Sequence, residues 1–221
     1  MTTATPAWTI DVVSDVVCPW CYIGKRKLET ALAQARSAGL PEPVIRWHPF
    51  QLNPDLPAEG VSRKSYLEDK FGGAERAAEI YARVKAAGKA VGLDLHIDGI
   101  TRQPNTLAAH ALIVFAQQQG PGFGSDVKER LLKAYFIENR FIGDVDVLVD
   151  IAQAAGLDPV AARDYLSDAQ QLQQVAAADS QARQMGISGV PFFIFNQKVA
   201  VSGAQEPAQL LAAMQQSLAD S

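Results

Sequence analysis

Asp15-Val16-Val17-Cys18-Pro19-Trp20-Cys21-Tyr22-Ile23-Gly24-Lys25 contains both cysteines of the 221-residue chain. It follows a β-like run, Trp8 to Ser14, which alternates and is rich in β-branched residues. It opens a helix-like run, Ile23 to Ala38, with Ile23, Leu28, Ala31, Leu32 and Ala35 on one apolar stripe and Gly39 at its end. A Cys-x-x-Cys pair between a strand and a helix is the sequence sign of a thiol–disulfide site. Pro19 suits the first helical position, because its fixed φ fits and its missing N–H has no intrahelical bond to make. That puts Cys18 at the N-cap and Cys21 one turn above it. A sulfur at the N-cap meets unpaired backbone N–H groups and the positive end of the helix dipole, so its thiolate is favoured. Cys21 is then within reach to close a disulfide once Cys18 has attacked a substrate.

The composition is that of a globular chain, with 48% hydrophobic and 20% charged residues and a formal net charge of −4. No Lys/Arg run forms a basic patch, which argues against a nucleic-acid partner. No apolar run approaches the roughly 20 residues that span a bilayer. Met1 to Ala7 lacks a basic segment followed by an apolar one, so no signal peptide is read there. The expected compartment is the cytoplasm. Structural disulfides are rare there, and a Cys-x-x-Cys is more often catalytic or metal-binding. A metal site fails on ligand count, because His48, His96 and His110 show no ligand-like spacing.

Pro43 to Phe50 reads as a second strand, so the first two strands and their crossover helix make a βαβ unit with a parallel pair. From Asn53 to about Ala74 the chain is polar and rich in Pro and Gly, with a short helix around Ser62 to Lys70. Apolar residues then recur at helical spacing from Ala77 to Met185, punctuated by Gly92, Gly120-Pro121-Gly122, Gly156 and Asp158-Pro159. This block reads as all-helical. Pro191 to Phe195 and Lys198 to Ser202 return to β character around an Asn196-Gln197 turn, and Pro207 starts a last helix. The order is βαβ, helices, ββα: an α/β chain whose sheet is interrupted by an all-helical insertion.

Four separated stretches carry a family resemblance: Asp15 to Gly24, Trp47-His48-Pro49-Phe50-Gln51-Leu52-Asn53-Pro54, Gly189-Val190-Pro191-Phe192-Phe193 and Val201-Ser202-Gly203-Ala204-Gln205. Together with the element order they resemble the thioredoxin fold, its DsbA branch, and within that the FrnE-type cytoplasmic oxidoreductases. The resemblance implies a split thioredoxin-like domain, residues 1–53 and 187–221, around a helical insertion domain, residues 54–186. It implies that Cys18 attacks and Cys21 resolves the mixed disulfide. It makes Pro191 a cis proline facing the cysteines, with the backbone of Val190 pairing with an extended substrate. Two features depart from the pattern. Pro19-Trp20 stands where periplasmic DsbA has Pro-His, and the additional C-terminal cysteine pair of one FrnE style is absent.

Other residues are weighed as supporting parts of the site. Trp20 offers apolar contact but no positive charge to a thiolate, which predicts a moderately lowered Cys18 pKa and a less oxidising couple than periplasmic DsbA. Asp15 is either a proton acceptor near Cys21 or a turn residue. Asn105 and Thr106 either border the substrate groove or cap a helix. Lys25-Arg26-Lys27 reads as a solvated helix face, or as a patch that steers anionic glutathione, and His110 as a packing residue. Exchange requires no cofactor, with glutathione as a candidate redox partner for a thiol- or disulfide-containing substrate. The oligomeric state stays open, a homodimer included. Two other readings compete. One is a glutathione-dependent enzyme of the kappa transferase or 2-hydroxychromene-2-carboxylate isomerase type, in which a serine serves and Cys21 has no task. The other is a holdase-like binding module that uses an apolar groove.

Overall fold

The computed structural model describes residues 8–219; the reading of Met1 to Ala7 lies outside them. A mixed four-stranded sheet is built from β1 (Thr9–Ser14), β2 (Val44–Pro49), β5 (Phe192–Phe195) and β6 (Val199–Ser202). Its spatial order is β2-β1-β5-β6. β1 pairs parallel to β2, with Val12 opposite Trp47, and antiparallel to β5, with Val12 opposite Phe193. The parallel pair is joined by α1 (Pro19–Ser37), and the β5–β6 hairpin leads into α9 (Pro207–Ala219). The hairpin turns on Asn196 and Gln197, both at positive φ (50° and 57°), the geometry a two-residue turn needs to match strand twist.

Between β2 and β5 lie α2 (Arg63–Phe71), α3 (Ala74–Ala90), α4 (Leu107–Gln119), α5 (Phe123–Phe136), α6 (Val145–Ala154), α7 (Pro159–Ser167) and α8 (Ala169–Gln184). The expected all-helical block needs one correction. Val61–Ser62 (β3) and Arg102–Gln103 (β4) pair as a short antiparallel ladder, and a 3-10 turn spans Ile97–Gly99. Two-residue strands carry no periodicity, so no pattern in the sequence marks them.

Strand alternation sorts β1 between two packing layers. Ile10 and Val12 join the main core with Tyr22, Ile23 and Leu28 of α1, Leu131 and Phe136 of α5, and Phe193 and Phe195 of β5. Val13 faces the other way, into a smaller cluster with Phe50, Ala182 and Ile187. The main core runs without a break from the sheet into the inserted helices. α1 packs against α9 and α3, while α8, α4 and α5 reach β2. The outer edge of β2 is closed by Gln117, whose side-chain amide accepts from the Trp47 N–H (2.7 Å) and donates to the Trp47 carbonyl (3.1 Å). A side-chain amide thus fills the place of a neighbouring strand and blunts an edge that would otherwise invite pairing.

Candidate active site

Cys18 is the N-cap of α1, in extended geometry (φ −94°, ψ 113°), with Pro19 at the first helical position. Both cysteines are free thiols and buried. The Cys18 S–H points at the Val190 carbonyl, 3.7 Å away. The Val190–Pro191 peptide bond is cis, and the Pro191 carbonyl accepts from the Gly203 N–H at 2.8 Å, which ties this turn to the end of β6. Gly24 lets α1 come this close to the turn. A Cβ at position 24 would stand 2.8 Å from Pro191 Cγ and 3.3 Å from Phe193 Cζ. Trp20 is the exposed member of the motif, at 40%.

The two sulfurs differ in acidity. The Cys21 thiol does most to hold Cys18 below the ordinary thiol value; burial and the charge of Asp15 oppose it, and the backbone N–H groups of Cys21 and Trp20 assist. The Cys18 sulfur closes no capping hydrogen bond, so these N–H groups act as nearby positive dipoles. Cys21 is held well above the ordinary value, first by burial and then by facing the Cys18 sulfur. One thiol is set to ionise and its neighbour to keep its proton.

Beneath them lies a buried polar cluster. Asp15, with no exposed surface, accepts from the Val16 N–H (2.7 Å), the Leu52 N–H (2.7 Å) and His110 Nε2 (3.2 Å). Burial disfavours its charge, but the hydrogen bond and charge of His110 and the Leu52 N–H outweigh that and keep the carboxyl below its ordinary value. Lys128 of α5, 1% exposed, holds its ammonium over the Trp47 ring, 5.6 Å from the centroid. Burial pulls its pKa down to about 8, against the attraction of Cys21, Asp15 and Cys18. His110 thus has a polar partner in the cluster. Lys128 escaped the sequence reading, although its spacing to Leu131, Leu132 and Tyr135 sets a cation in an apolar stripe.

The next residue, Glu129, fastens the inserted helices to the cysteine helix. It accepts from the Tyr22 hydroxyl (2.8 Å), Lys25 (2.6 Å) and Arg26. Lys25 is buried rather than solvated, Arg26 pairs with Glu29 as well, and Lys27 pairs with Glu206. The basic run is therefore engaged in ion pairs. Asn105 donates to the Pro54 and Leu56 carbonyls (3.2 and 2.7 Å) and accepts from the Leu107 N–H (2.9 Å). Its amide braces the loop after Asn53 and starts α4. Thr106 is buried, and its carbonyl accepts from the His110 N–H. Among the described residues no group of three His, Cys, Asp or Glu gathers to hold a metal ion, and no helix is long and apolar enough to cross a membrane.

The sheet, the cysteine helix and the inserted helices define a thioredoxin-like protein of the DsbA type. The family model for the DSBA-like thioredoxin domain matches residues 9–215, and the chain belongs to that family of thiol–disulfide oxidoreductases. The chain is similar to a probable DsbA oxidoreductase from Streptomyces coelicolor, at 29% identity and TM-score 0.83, covering 97% of this chain and 91% of that one. Protein YwbO of Bacillus subtilis is 25% identical over 88% of this chain and 90% of its own length. The fold is shared with the cytosolic disulfide reductase DsbM from Pseudomonas aeruginosa, solved with GSH (19% identity, TM-score 0.65, 96% and 99% covered). It is also shared with a 2-hydroxychromene-2-carboxylate isomerase (14% identity, TM-score 0.67, 96% and 97% covered).

Proposed function

We propose that this protein is a cytoplasmic, FrnE-type dithiol–disulfide oxidoreductase with Cys18 as nucleophile and Cys21 as resolving thiol. The observation that carries the reading is the asymmetry of the pair: Cys18 at the helix N-cap facing the Val190 carbonyl, and Cys21 buried behind it with a raised pKa. The Cys18 thiolate attacks a substrate disulfide. The substrate S–S bond breaks, a Cys18–substrate disulfide forms, and the departing thiolate takes a proton from solvent. Cys21 then passes its proton to the Asp15 carboxylate, the Lys128 ammonium favouring the thiolate that forms, and attacks the Cys18 sulfur. The Cys18–Cys21 disulfide forms, the second substrate thiol leaves, and two electrons have passed to the substrate. A thiol reductant such as glutathione returns them, and the reverse sequence oxidises a substrate dithiol. Exchange needs no dissociable cofactor. Trp20 and the Val190-Pro191 turn form the contact surface for the substrate segment, and Asn105, with Thr106 beside it, shapes its border through the loop that Asn105 braces.

The test is turnover of a model disulfide by the wild type, Cys18→Ala and Cys21→Ser. Cys18→Ala abolishes turnover, and Cys21→Ser accumulates a mixed disulfide on Cys18, seen as an added mass on the intact protein. A Cys21→Ser variant that turns over a glutathione-dependent isomerisation as fast as the wild type contradicts the reading and favours the isomerase. Protection of an aggregating client that is unchanged in Cys18→Ala, without disulfide turnover in the wild type, favours a holdase.

A further inference from the structure

The exchange chemistry assigns no task to α8, yet the end of α8 holds the loop that follows β2. Asp179 is 4% exposed and accepts from the Gln51 N–H (2.7 Å). Arg183 donates to the Gln51 carbonyl and, through Nε, to Asp179 (3.1 Å). Its guanidinium also lies over the Phe50 ring, 4.2 Å from the centroid. Gln51 stands past the end of β2 at Pro49, so its N–H and C=O lie outside the strand ladder. One ion pair of α8 meets both. A planar cation suits that place, because it serves a carboxylate, a carbonyl and a ring face at once.

These contacts close a circuit that returns to Cys18. Leu52, the next residue, has its N–H held by Asp15, which also accepts from the Val16 N–H beside the cysteine motif. On the other side, the Arg183 carbonyl accepts from the Gly186 N–H (3.0 Å), and the Ala182 carbonyl from the Ile187 N–H (3.2 Å). These bonds end α8 and set the direction of the chain toward Val190. Ala182 and Ile187 pack with Phe50 and Val13, and Val190 and Phe192 rest on that cluster. The Val190 carbonyl then faces the Cys18 sulfur at 3.7 Å. Arg183 thus ties the helix that leads into the turn to the loop fixed beneath the cysteines.

We propose that Arg183, together with Asp179, is a positioning residue that holds the Val190-Pro191 turn in register for an extended peptide, and so selects polypeptide disulfides over small ones. This role rests on the reading of Cys18 as nucleophile and of the turn as the backbone partner of the substrate. A peptide that pairs with the turn needs Val190 at a fixed place relative to Cys18, since hydrogen bonds weaken steeply with misalignment. A small disulfide has no backbone to pair and draws on the thiolate.

Two mixed disulfides of 2-nitro-5-thiobenzoate test it, one with a linear peptide that carries a single cysteine, the other with 2-mercaptoethanol. In each, the Cys18 thiolate attacks the alkyl sulfur and a Cys18–alkyl disulfide forms. The same nitrothiobenzoate thiolate leaves and is read by its absorbance. The reduced wild type should reach its half-maximal rate at a lower concentration of the peptide probe than of the mercaptoethanol probe. In Arg183→Met the half-saturating peptide concentration should rise about ten-fold, the scale of one or two lost backbone hydrogen bonds, with the limiting rate little changed. The selectivity between the two probes should fall by the same factor. Arg183→Lys keeps the charge without the fork and should lose most of the selectivity while it stays folded. A cooperative thermal transition marks a folded variant. Equal handling of the two probes by the wild type overturns the proposal. So does a folded variant in which both probes slow alike, the mark of a merely structural role, or in which neither changes. Should Arg183→Met fail to fold, Arg183→Lys and the wild-type selectivity decide. A wild type that releases nitrothiobenzoate from neither probe overturns the nucleophile reading, and the role of Arg183 with it. Full exchange with unmoved selectivity in the variants overturns the role of Arg183 alone.

Discussion

Lys128→Met should make this protein more stable and slower. The lysine is buried, and its pKa falls from 10.5 to about 8. At about 1.36 kcal/mol per pKa unit, that fall means the folded state disfavours the ammonium by roughly 3 kcal/mol. Between these two values the unfolded chain holds more protons at this position than the folded one, so stability rises with pH through that window. Below about pH 8 the full penalty is present, and above 10.5 it is gone. Methionine has a similar length and no charge. At pH 7 the variant should therefore gain up to roughly 3 kcal/mol, a rise in Tm of about 6 to 12 °C for a chain of this size, and the gain should fade toward pH 10.5. The same substitution removes a positive charge that favours ionised Cys21 and Asp15, so resolution of the mixed disulfide should slow by about ten-fold. Urea unfolding at pH 7 and pH 10, paired with stopped-flow release of the second substrate thiol, reads both effects. A variant less stable than wild type at pH 7, or one with unchanged resolution kinetics, refutes the argument that Lys128 is a strained group kept for the reaction.

Gly24→Ala places a methyl against Pro191; it should destabilise by about 1–3 kcal/mol, the usual range for overpacking, and cut disulfide turnover more than an equally destabilising change far from the turn. Glu129→Ala leaves buried Lys25 with Glu29 as its remaining carboxylate partner and should lower stability by about 3 kcal/mol in chemical denaturation. The depressed pKa of Asp15 contributes stability that is present above its unfolded value near 3.8 and lost as pH falls through its lower folded value. Asp15→Asn should therefore be less stable than wild type at pH 7, and the difference in Tm should shrink below pH 3.8; a constant difference between pH 7 and pH 3 contradicts this.

The sheet and the cysteine pair were legible because strong local signals coincide there. Thr9–Ser14 alternates, Pro19 starts a helix, and Asn196-Gln197 makes a hairpin turn. The polar cluster under Cys21 was not legible. Asp15, His110 and Lys128 come from the loop before α1 and from two inserted helices, and only tertiary packing unites them. Lys25 shows the same limit from the other side. A Lys-Arg-Lys run reads as a wet surface, but Glu129 of α5 closes over it, so burial of the lysine depends on a residue more than a hundred positions away. Asn105 was readable as a cap, yet its bonds to Pro54 and Leu56 depend on where a polar loop without periodicity comes to rest.

The most direct measurement is the rate of iodoacetamide labelling at each cysteine across pH, resolved by peptide mass spectrometry on the reduced wild-type protein. Cys18 should label first, with a midpoint below the ordinary thiol value of 9.0, while Cys21 stays unlabelled well past that pH. Labelling of Cys21 ahead of Cys18, or a Cys18 midpoint at or above 9.0, contradicts the account.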